Sequence, residues 1–144
     1  MPRSLALALM ITDWLFIAYW TLSGLDKAGL IHIPAELLYA NAHDPRVVAW
    51  NWSFFPLDIA FSIFGLAAVS ASRRGKGLWR PLALISLILT MVAGGMAVGY
   101  WALLGEFDPS WFLPNLALLL WPLAFLPGLV RDLASDHDTR RDAG

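Results

Sequence analysis

The sequence contains no cysteine, and this absence removes several classes of protein at once. Without a thiol the chain forms no disulfide, holds no iron–sulfur cluster or cysteine-ligated zinc, and performs no thiolate catalysis. Quinone-reducing four-helix proteins that work through paired thiols are excluded for the same reason. The three histidines lie in loops and in the tail without the spacing of a metal site. We therefore predict no metal and no cofactor.

Charged residues are also scarce, at 15% of the chain against about a quarter in soluble domains. The net charge is −1, and the sequence has no basic stripe of the kind that binds a phosphate backbone, which excludes nucleic acid as a partner. Hydrophobic residues make up 58% of the chain, an excess over soluble domains. This composition indicates a protein that lies in a lipid bilayer.

Four apolar stretches, at residues 5–25, 47–70, 81–104 and 112–130, are each long enough to cross about 30 Å of hydrocarbon as a helix. They lack the alternation of barrel strands, and helices satisfy their backbone hydrogen bonds internally. The first stretch is longer than a signal-peptide core and lacks an A-x-A cleavage pattern, so we interpret it as a retained helix. The sequence predicts an all-α membrane protein, a single four-transmembrane-helix bundle over residues 1–130.

Basic residues predict the orientation of this bundle. The link between the second and third stretches carries Arg73, Arg74, Lys76 and Arg80 with no acid, whereas the first link carries both signs of charge and the third carries only acids. Short basic loops stay in the cytoplasm, so this link predicts an N-in, C-in arrangement. Arg3 and the arginines of the tail fall on the same side and agree with it.

Two segments outside the spans are assigned separately. Residues 34–41 of the first outer link, beginning at Pro34, have the pattern of a short amphipathic helix, which we expect on the outer membrane face. The tail, residues 131–144, alternates Asp with Arg and loses apolar periodicity after Leu133. We expect the tail to be cytoplasmic and mostly disordered.

Prolines mark both helix starts and helix interruptions. Asp-Pro pairs at residues 44–45 and 108–109 precede the second and fourth spans, where the Asp caps the free N–H groups and the Pro occupies the first helical position. Prolines within a span remove backbone hydrogen bonds and are expected to kink it. These are Pro56, Pro114, Pro122 and Pro127.

Two carboxyl groups fall inside the spans, where an ionisable side chain is costly unless it is paired or neutral. Asp58 lies near the centre of the second span and shares one helical face with Asn51, Ser62 and Gly65, which must look into the bundle. Asp13 lies in the first span, where it can meet Asp58; two such carboxyls in a dry site would share one proton. The alternative is structural, with each Asp bonding a Trp N–H, a hydroxyl or a backbone N–H and locking the helices together.

Eight tryptophans lie mostly near the helix ends, where an interfacial belt is their ordinary role. The sharper hypothesis is a pocket above Asp58, walled by aromatic rings including Tyr19, that holds an apolar or cationic ligand by stacking and cation–π attraction. The predicted ligand-binding residues are Asp58, Asn51, Asp13, Trp52, Trp20, Tyr100, Trp101 and Asn115. For Asn115, structural hydrogen bonding is the alternative.

Small residues in the third span predict close packing. The spacing of Gly95 and Gly99 lets another backbone approach, either from the same bundle or from a second copy of the chain. The expected partners are therefore membrane lipids, a small ligand, and a homo-oligomer formed through these two glycines.

Three blocks of the sequence carry a resemblance to a known family. They are VAWNWSFFPLD at residues 48–58, RPLALIS at residues 80–86 and FDPSW at residues 107–111. The chain resembles the YvaD-like proteins, an uncharacterised family of small bacterial four-helix integral membrane proteins, over nearly its whole length. The resemblance implies a multi-pass protein of the bacterial cytoplasmic (inner) membrane and draws attention to Asp58. It implies no activity.

Three functional hypotheses follow from these residues. The leading one is a non-enzymatic membrane protein that binds, or also moves, a small apolar or cationic molecule in a cavity near Asp58. The second is an intramembrane enzyme in which the Asp pair acts as general acid and base on a lipid-soluble substrate. The third is a structural subunit that stabilises a larger membrane complex.

Overall fold

A computed structural model of the chain describes residues 1–34, 37 and 43–141, with side chains described up to residue 135. Four helical segments of this described part are long and apolar enough to cross a membrane. They are Arg3–Lys27, Pro45–Arg73, Trp79–Leu104 and Pro109–Ser135. The prediction of an all-α, four-span membrane protein is confirmed. The amphipathic helix predicted over residues 34–41 falls almost entirely outside the described residues.

The first span is one helix and the second is two. Helix α1 (Arg3–Lys27) is unbroken, because its interior has no proline. The second span divides into α2 (Pro45–Ser53) and α3 (Phe55–Arg73). Pro56 has no N–H to donate into the preceding turn and its ring crowds that turn, so the helix is interrupted at Phe54.

The third span is helix α4 (Trp79–Leu104), which is set off by a glycine at each end. Gly75, in the basic link before it, has φ of 67°, and Gly105, directly after it, has φ of 72°. Both values lie in the left-handed region that side chains with a Cβ disfavour. The turn at Gly75 therefore ends α3, ahead of α4, and the turn at Gly105 ends α4.

The fourth span begins as predicted and is interrupted once. Asp108 Oδ1 accepts a hydrogen bond of 2.9 Å from the Ser110 N–H, and this cap starts helix α5 (Pro109–Leu120). A 3₁₀ turn, Trp121–Ala124, follows and contains Pro122; helix α6 (Leu126–Arg141) then completes the span. Pro114 lies inside α5 without ending it, so the predicted interruption occurs at the later prolines.

Helix α6 continues past the predicted end of the fourth span at Val130. It reaches Arg141, within the tail that the sequence suggested would be disordered. No Gly or Pro follows Val130 until Gly144, so the chain carries no stop signal there. The Ser135 hydroxyl also donates to the Arg131 carbonyl at 3.0 Å, one turn back.

Within the described part of the chain, the spans pack in a row rather than in a closed ring. Helix α1 packs on α3, α3 on α4, and α4 on α5, whereas α1 makes no backbone approach to α5. The two outer members of this row are accordingly less buried than the two middle spans.

Helix α4 approaches the backbone of α5 closely at Gly94. A Cβ atom at this position would lie 2.6 Å from both the Asn115 carbonyl oxygen and the Leu119 amide nitrogen. At Gly95 a Cβ would make an ordinary contact with Leu119 at 3.4 Å, and at Gly99 it would meet nothing within 4 Å. Within one chain, the close packing predicted for the third span is formed at Gly94, which faces the backbone of α5, and contact of Gly95 and Gly99 with a second copy stays a prediction.

Along the membrane normal the bundle divides into two halves that differ in chemistry. The aliphatic half, at the end that carries the basic link, is a cluster of buried side chains. These are Leu5, Leu9, Ala68, Val69, Ala83, Leu87 and Leu129. The aromatic half, at the other end, is built around Trp20, Phe54, Phe61, Ala93 and Ala97. A polar layer of Asp13, Ser62, Ser86 and Thr90, all fully buried, lies between the two halves.

Candidate functional site

Asp58 is held by the first helix at the base of the aromatic half. The indole N–H of Trp20 donates to Asp58 Oδ2 at 2.9 Å, and the carboxyl group is only 3% exposed. The other oxygen, Oδ1, has no hydrogen-bond partner among the described residues. Because the helix restarts at Phe55, Asp58 also lies in the first turn of α3, where the helix dipole favours negative charge.

A cavity of about 490 Å³ lies directly beside this carboxyl group. Such a volume falls within the range of sites that bind small molecules. Its walls come from α1, α2, α4 and α5, while Asp58 of α3 lies at its base. The lining residues are Thr12, Leu15, Phe16, Tyr19, Trp20, Trp50, Asn51, Phe54, Asp58, Ala93, Ala97, Trp101, Ser110, Trp111, Pro114, Asn115 and Leu118.

Helix α2 closes the cavity at the end away from Asp58. The Asn51 side-chain amide donates to the Tyr19 hydroxyl at 3.0 Å, which fastens α2 to α1. On the other side the ring of Trp50 stacks on Tyr100 of α4, with centroids 4.2 Å apart and planes inclined by 20°. The short helix before Pro56 thus forms a roof fixed at both edges.

Five of the eight residues that the sequence nominated as ligand-binding line this cavity. They are Asp58, Asn51, Trp20, Trp101 and Asn115. Asn115 also has a structural bond, because its side-chain amide donates to the Trp111 carbonyl at 2.7 Å. This hydrogen bond agrees with the structural role that the sequence analysis gave as the alternative for Asn115.

The two remaining aromatic candidates pack behind the wall instead of forming it. Trp52 lies against Trp20, with ring centroids 5.3 Å apart, and the Lys27 ammonium sits 4.2 Å from the Trp52 ring centroid. Tyr100 supports the roof through its stack on Trp50. Both residues therefore brace rings that face the cavity.

Asp13 is the third candidate outside the lining, and it lies in the polar layer. Its carboxyl group is fully buried, and neither oxygen has a hydrogen-bond partner among the described residues. It packs directly on Gly65, where a Cβ atom would overlap Asp13 Oδ2 and lie 2.9 Å from the Ser86 hydroxyl. Gly65 is what makes room for this carboxyl between α1, α3 and α4.

The two carboxyl groups consequently sit at different levels of the bundle. Asp13 is opposite Gly65, which follows Asp58 by seven residues, a rise of roughly 10 Å along α3. The side chain of Asp58 is directed towards the N-terminus of its helix, away from that level. The contact between the two carboxyls that we considered from the sequence is not formed.

Several lining residues were not singled out by sequence reasoning. On α5 the wall consists of Trp111, Pro114 and Leu118, which share one helical face with Asn115. On α4 it includes Ala93 and Ala97, which precede Trp101 by eight and four residues. The sequence signal for this wall is a face of α4 with an alanine on each of two successive turns, followed by a tryptophan. Small side chains on a helix face leave space in front of them, which favours a cavity there.

The fold and the cavity define a small four-helix membrane protein with a buried acidic group beside an aromatic-walled space. The model of a family of unknown function, DUF5360, matches residues 5–136. The chain belongs to this family. It is 38% identical over 130 residues to the uncharacterized protein YvaD of Bacillus subtilis (strain 168), which covers 90% of this chain and 94% of that protein.

The predicted membership of a YvaD-like family is confirmed by these matches. No solved structure matches the chain. The interpretation of the cavity therefore rests on the residues of this chain.

Proposed function

We propose that the protein binds a small molecule with an apolar body and a cationic group in the cavity of the aromatic half. The observation that carries the proposal is a buried carboxyl group with one oxygen, Asp58 Oδ1, left without a partner at the edge of a space of about 490 Å³. A buried carboxylate is costly unless a positive charge or donors compensate it. A ligand ammonium group would supply both.

The walls of the cavity favour the same chemistry. Trp20, Trp50, Trp101 and Trp111 all line it, and the faces of indole rings attract cations. The Lys27 ammonium group is engaged with the Trp52 ring behind the wall. Among the described residues the Asp58 side chain bonds only the Trp20 N–H, so a cationic ligand would have no counter-charge to displace.

The acid–base alternative requires two carboxyl groups on one substrate. Asp13 is not part of the cavity lining and is displaced from Asp58 by about two helical turns. Binding without a carboxyl pair is therefore the function that the geometry favours.

The same proposal includes a location and an orientation. The basic link at residues 73–80, the Arg3 end of α1 and Arg131 all lie at the end of the aliphatic half. With the basic end in the cytoplasm of a bacterial cell, the cavity lies in the outer half of the cytoplasmic membrane.

Thermal unfolding of the protein in lipid nanodiscs tests the proposal, with octylamine as the cationic probe and octanol as its neutral analogue. We expect octylamine to raise the unfolding temperature of the wild type; at a hundredfold excess over Kd the gain is about 2.7 kcal/mol. Asp58→Asn should abolish this gain, because it removes the anionic partner while keeping the side-chain shape. Octanol should give no comparable gain.

Asp13→Asn is the matched control, since it neutralises an equally buried carboxyl that does not line the cavity. It should retain the response to octylamine. Equal stabilisation of the wild type and Asp58→Asn would refute the proposal, and so would an equal response to octanol.

A further inference from the structure

The cavity has walls on α1 and on α5, yet these two helices do not pack on one another in the described part of the chain. Helices α3 and α4 fill the space behind the cavity, and α2 covers its end through Asn51 and Trp50. Among the described helices, none closes the gap between α1 and α5. In a bilayer this gap faces lipid.

The residues at the two edges of this gap are exposed, as expected for an opening of the cavity towards lipid. We call this opening the mouth. Leu15, on the α1 edge, lines the cavity and is nevertheless 64% exposed, and Pro114, on the α5 edge, is exposed as well. Leu15 lies at the middle of the span Arg3–Lys27, so the mouth opens at hydrocarbon depth. A molecule in the aqueous phase does not meet this opening.

We propose that the ligand is a membrane-borne amphiphile, a long-chain amine whose nitrogen reaches Asp58 while its alkyl tail passes between α1 and α5 into the lipid. This inference rests on the proposed function and adds to it the ligand class and the route of entry. The charge complementarity comes from the unpartnered Asp58 Oδ1 at the base of the cavity. The alkyl tail would lie against the apolar side chains at the mouth, Leu15 and Leu118.

A chain-length series distinguishes a mouth open to lipid from a closed pocket. Butylamine, octylamine and hexadecylamine are titrated into protein in nanodiscs, with tryptophan emission as the readout and affinity expressed per mole of lipid. We expect hexadecylamine and octylamine to bind within about threefold of one another, because the additional tail stays in lipid in both states and gains nothing on binding. A closed cavity would exclude hexadecylamine.

Leu15→Trp supplies the second arm, because a larger side chain at the mouth obstructs a tail that passes through it. We expect this variant to weaken hexadecylamine binding by about tenfold or more, a change of about 1.4 kcal/mol, and to weaken butylamine binding by a smaller factor. Leu7→Trp is the matched control, since Leu7 is 60% exposed on the same helix and does not line the cavity. It should change neither affinity.

The outcomes separate the two proposals. If butylamine binds in an Asp58-dependent manner while hexadecylamine does not bind, or if Leu15→Trp leaves hexadecylamine unaffected, the lateral route is refuted and the proposed function stands. If no amine binds, or if all bind equally to Asp58→Asn, the proposed function fails and the lateral route fails with it.

Discussion

The aliphatic and aromatic halves of this bundle are built from the same four spans but differ in how their side chains pack. In the aliphatic half, Leu9, Ala83 and Leu87 are fully buried and their cluster includes Leu129 of α6, although α1 makes no backbone approach to α6 among the described residues. In the aromatic half, α1 and α5 stay apart, and bulky rings surround a space instead of filling it. The two halves therefore differ in their side chains: in one half these bury one another, and in the other half they surround a cavity.

The chemistry of the side chains explains how this division is possible. Association of helices in lipid depends on packing and hydrogen bonds rather than on removal from water, so a tight cluster at one end can hold the whole row. Rings braced against each other, such as Trp50 on Tyr100 and Trp20 on Trp52, keep the cavity walls apart without filling the centre. We expect the halves to respond differently to substitution.

The largest expected effect is at Gly94, where the aromatic half depends on one close contact. Gly94→Ala places a Cβ 2.6 Å from two backbone atoms of α5, which cannot rotate away as a side chain could. Overpacking of this kind costs about 3 kcal/mol, and a displaced α5 also distorts the cavity wall. Unfolding in nanodiscs should show a clear loss of stability together with weaker octylamine binding.

Gly99→Ala is the control for that experiment, because a Cβ there meets nothing within 4 Å. It should be neutral or slightly stabilising, by up to about 1 kcal/mol from helix propensity. A loss of stability at Gly99 equal to that at Gly94 would contradict the packing described here.

The next effect compares two leucines, one from each half. Leu87→Ala empties a fully buried site in the filled core and should cost about 1–3 kcal/mol. This is less than in a soluble protein, since the unfolded spans keep an apolar surrounding in lipid. Leu118→Ala only widens an existing cavity and should cost below about 0.5 kcal/mol. Similar losses for both, measured by thermal unfolding, would mean that the two halves are equally filled.

The smallest effect is a pH dependence at the start of α5. Two hydrogen bonds from Ser110 hold the pKa of Asp108 below its ordinary value. Since the pKa is lower in the folded chain than in the unfolded one, the stabilisation is complete above about pH 4 and is lost as the pH falls through the folded value. Asp108→Asn keeps a capping oxygen and should remove this small acid sensitivity, as followed by unfolding between neutral and acidic pH. An unchanged pH profile would exclude Asp108 as its source.

The fold was largely predictable because each span carries its own signal. Length and hydropathy mark the four helices, and the Asp-Pro pairs mark where α2 and α5 begin, with Asp44 accepting from the Arg46 N–H at 2.8 Å as at Asp108. The extension of α6 was missed because the polar composition of the tail was weighed above its lack of a helix stop. Local rules predict local structure well here.

The site was predictable only in part, because the sequence of a single helix does not determine at what height it packs against its neighbour. Asp58 was found from its helical face, whereas the level of Asp13 depends on how α1 and α3 slide along each other, which Gly65 and the Trp20–Asp58 bond decide. Similarly, nothing local separates Trp50, which lines the cavity, from Trp52, which lies behind it. That distinction follows from the rotation of α2 relative to α3, which is set at the interruption at Phe54.

The most direct test of the account enlarges one alanine in each half of the same helix. Ala97→Leu places its new atoms in the cavity, so we predict nearly unchanged stability and loss of octylamine binding by about tenfold or more. Ala83→Leu places them in the filled core, so we predict a loss of about 1–3 kcal/mol with octylamine binding retained in the folded protein. If Ala97→Leu destabilises the protein as much as Ala83→Leu does, or binds octylamine as the wild type does, the aromatic half does not hold the ligand space described here.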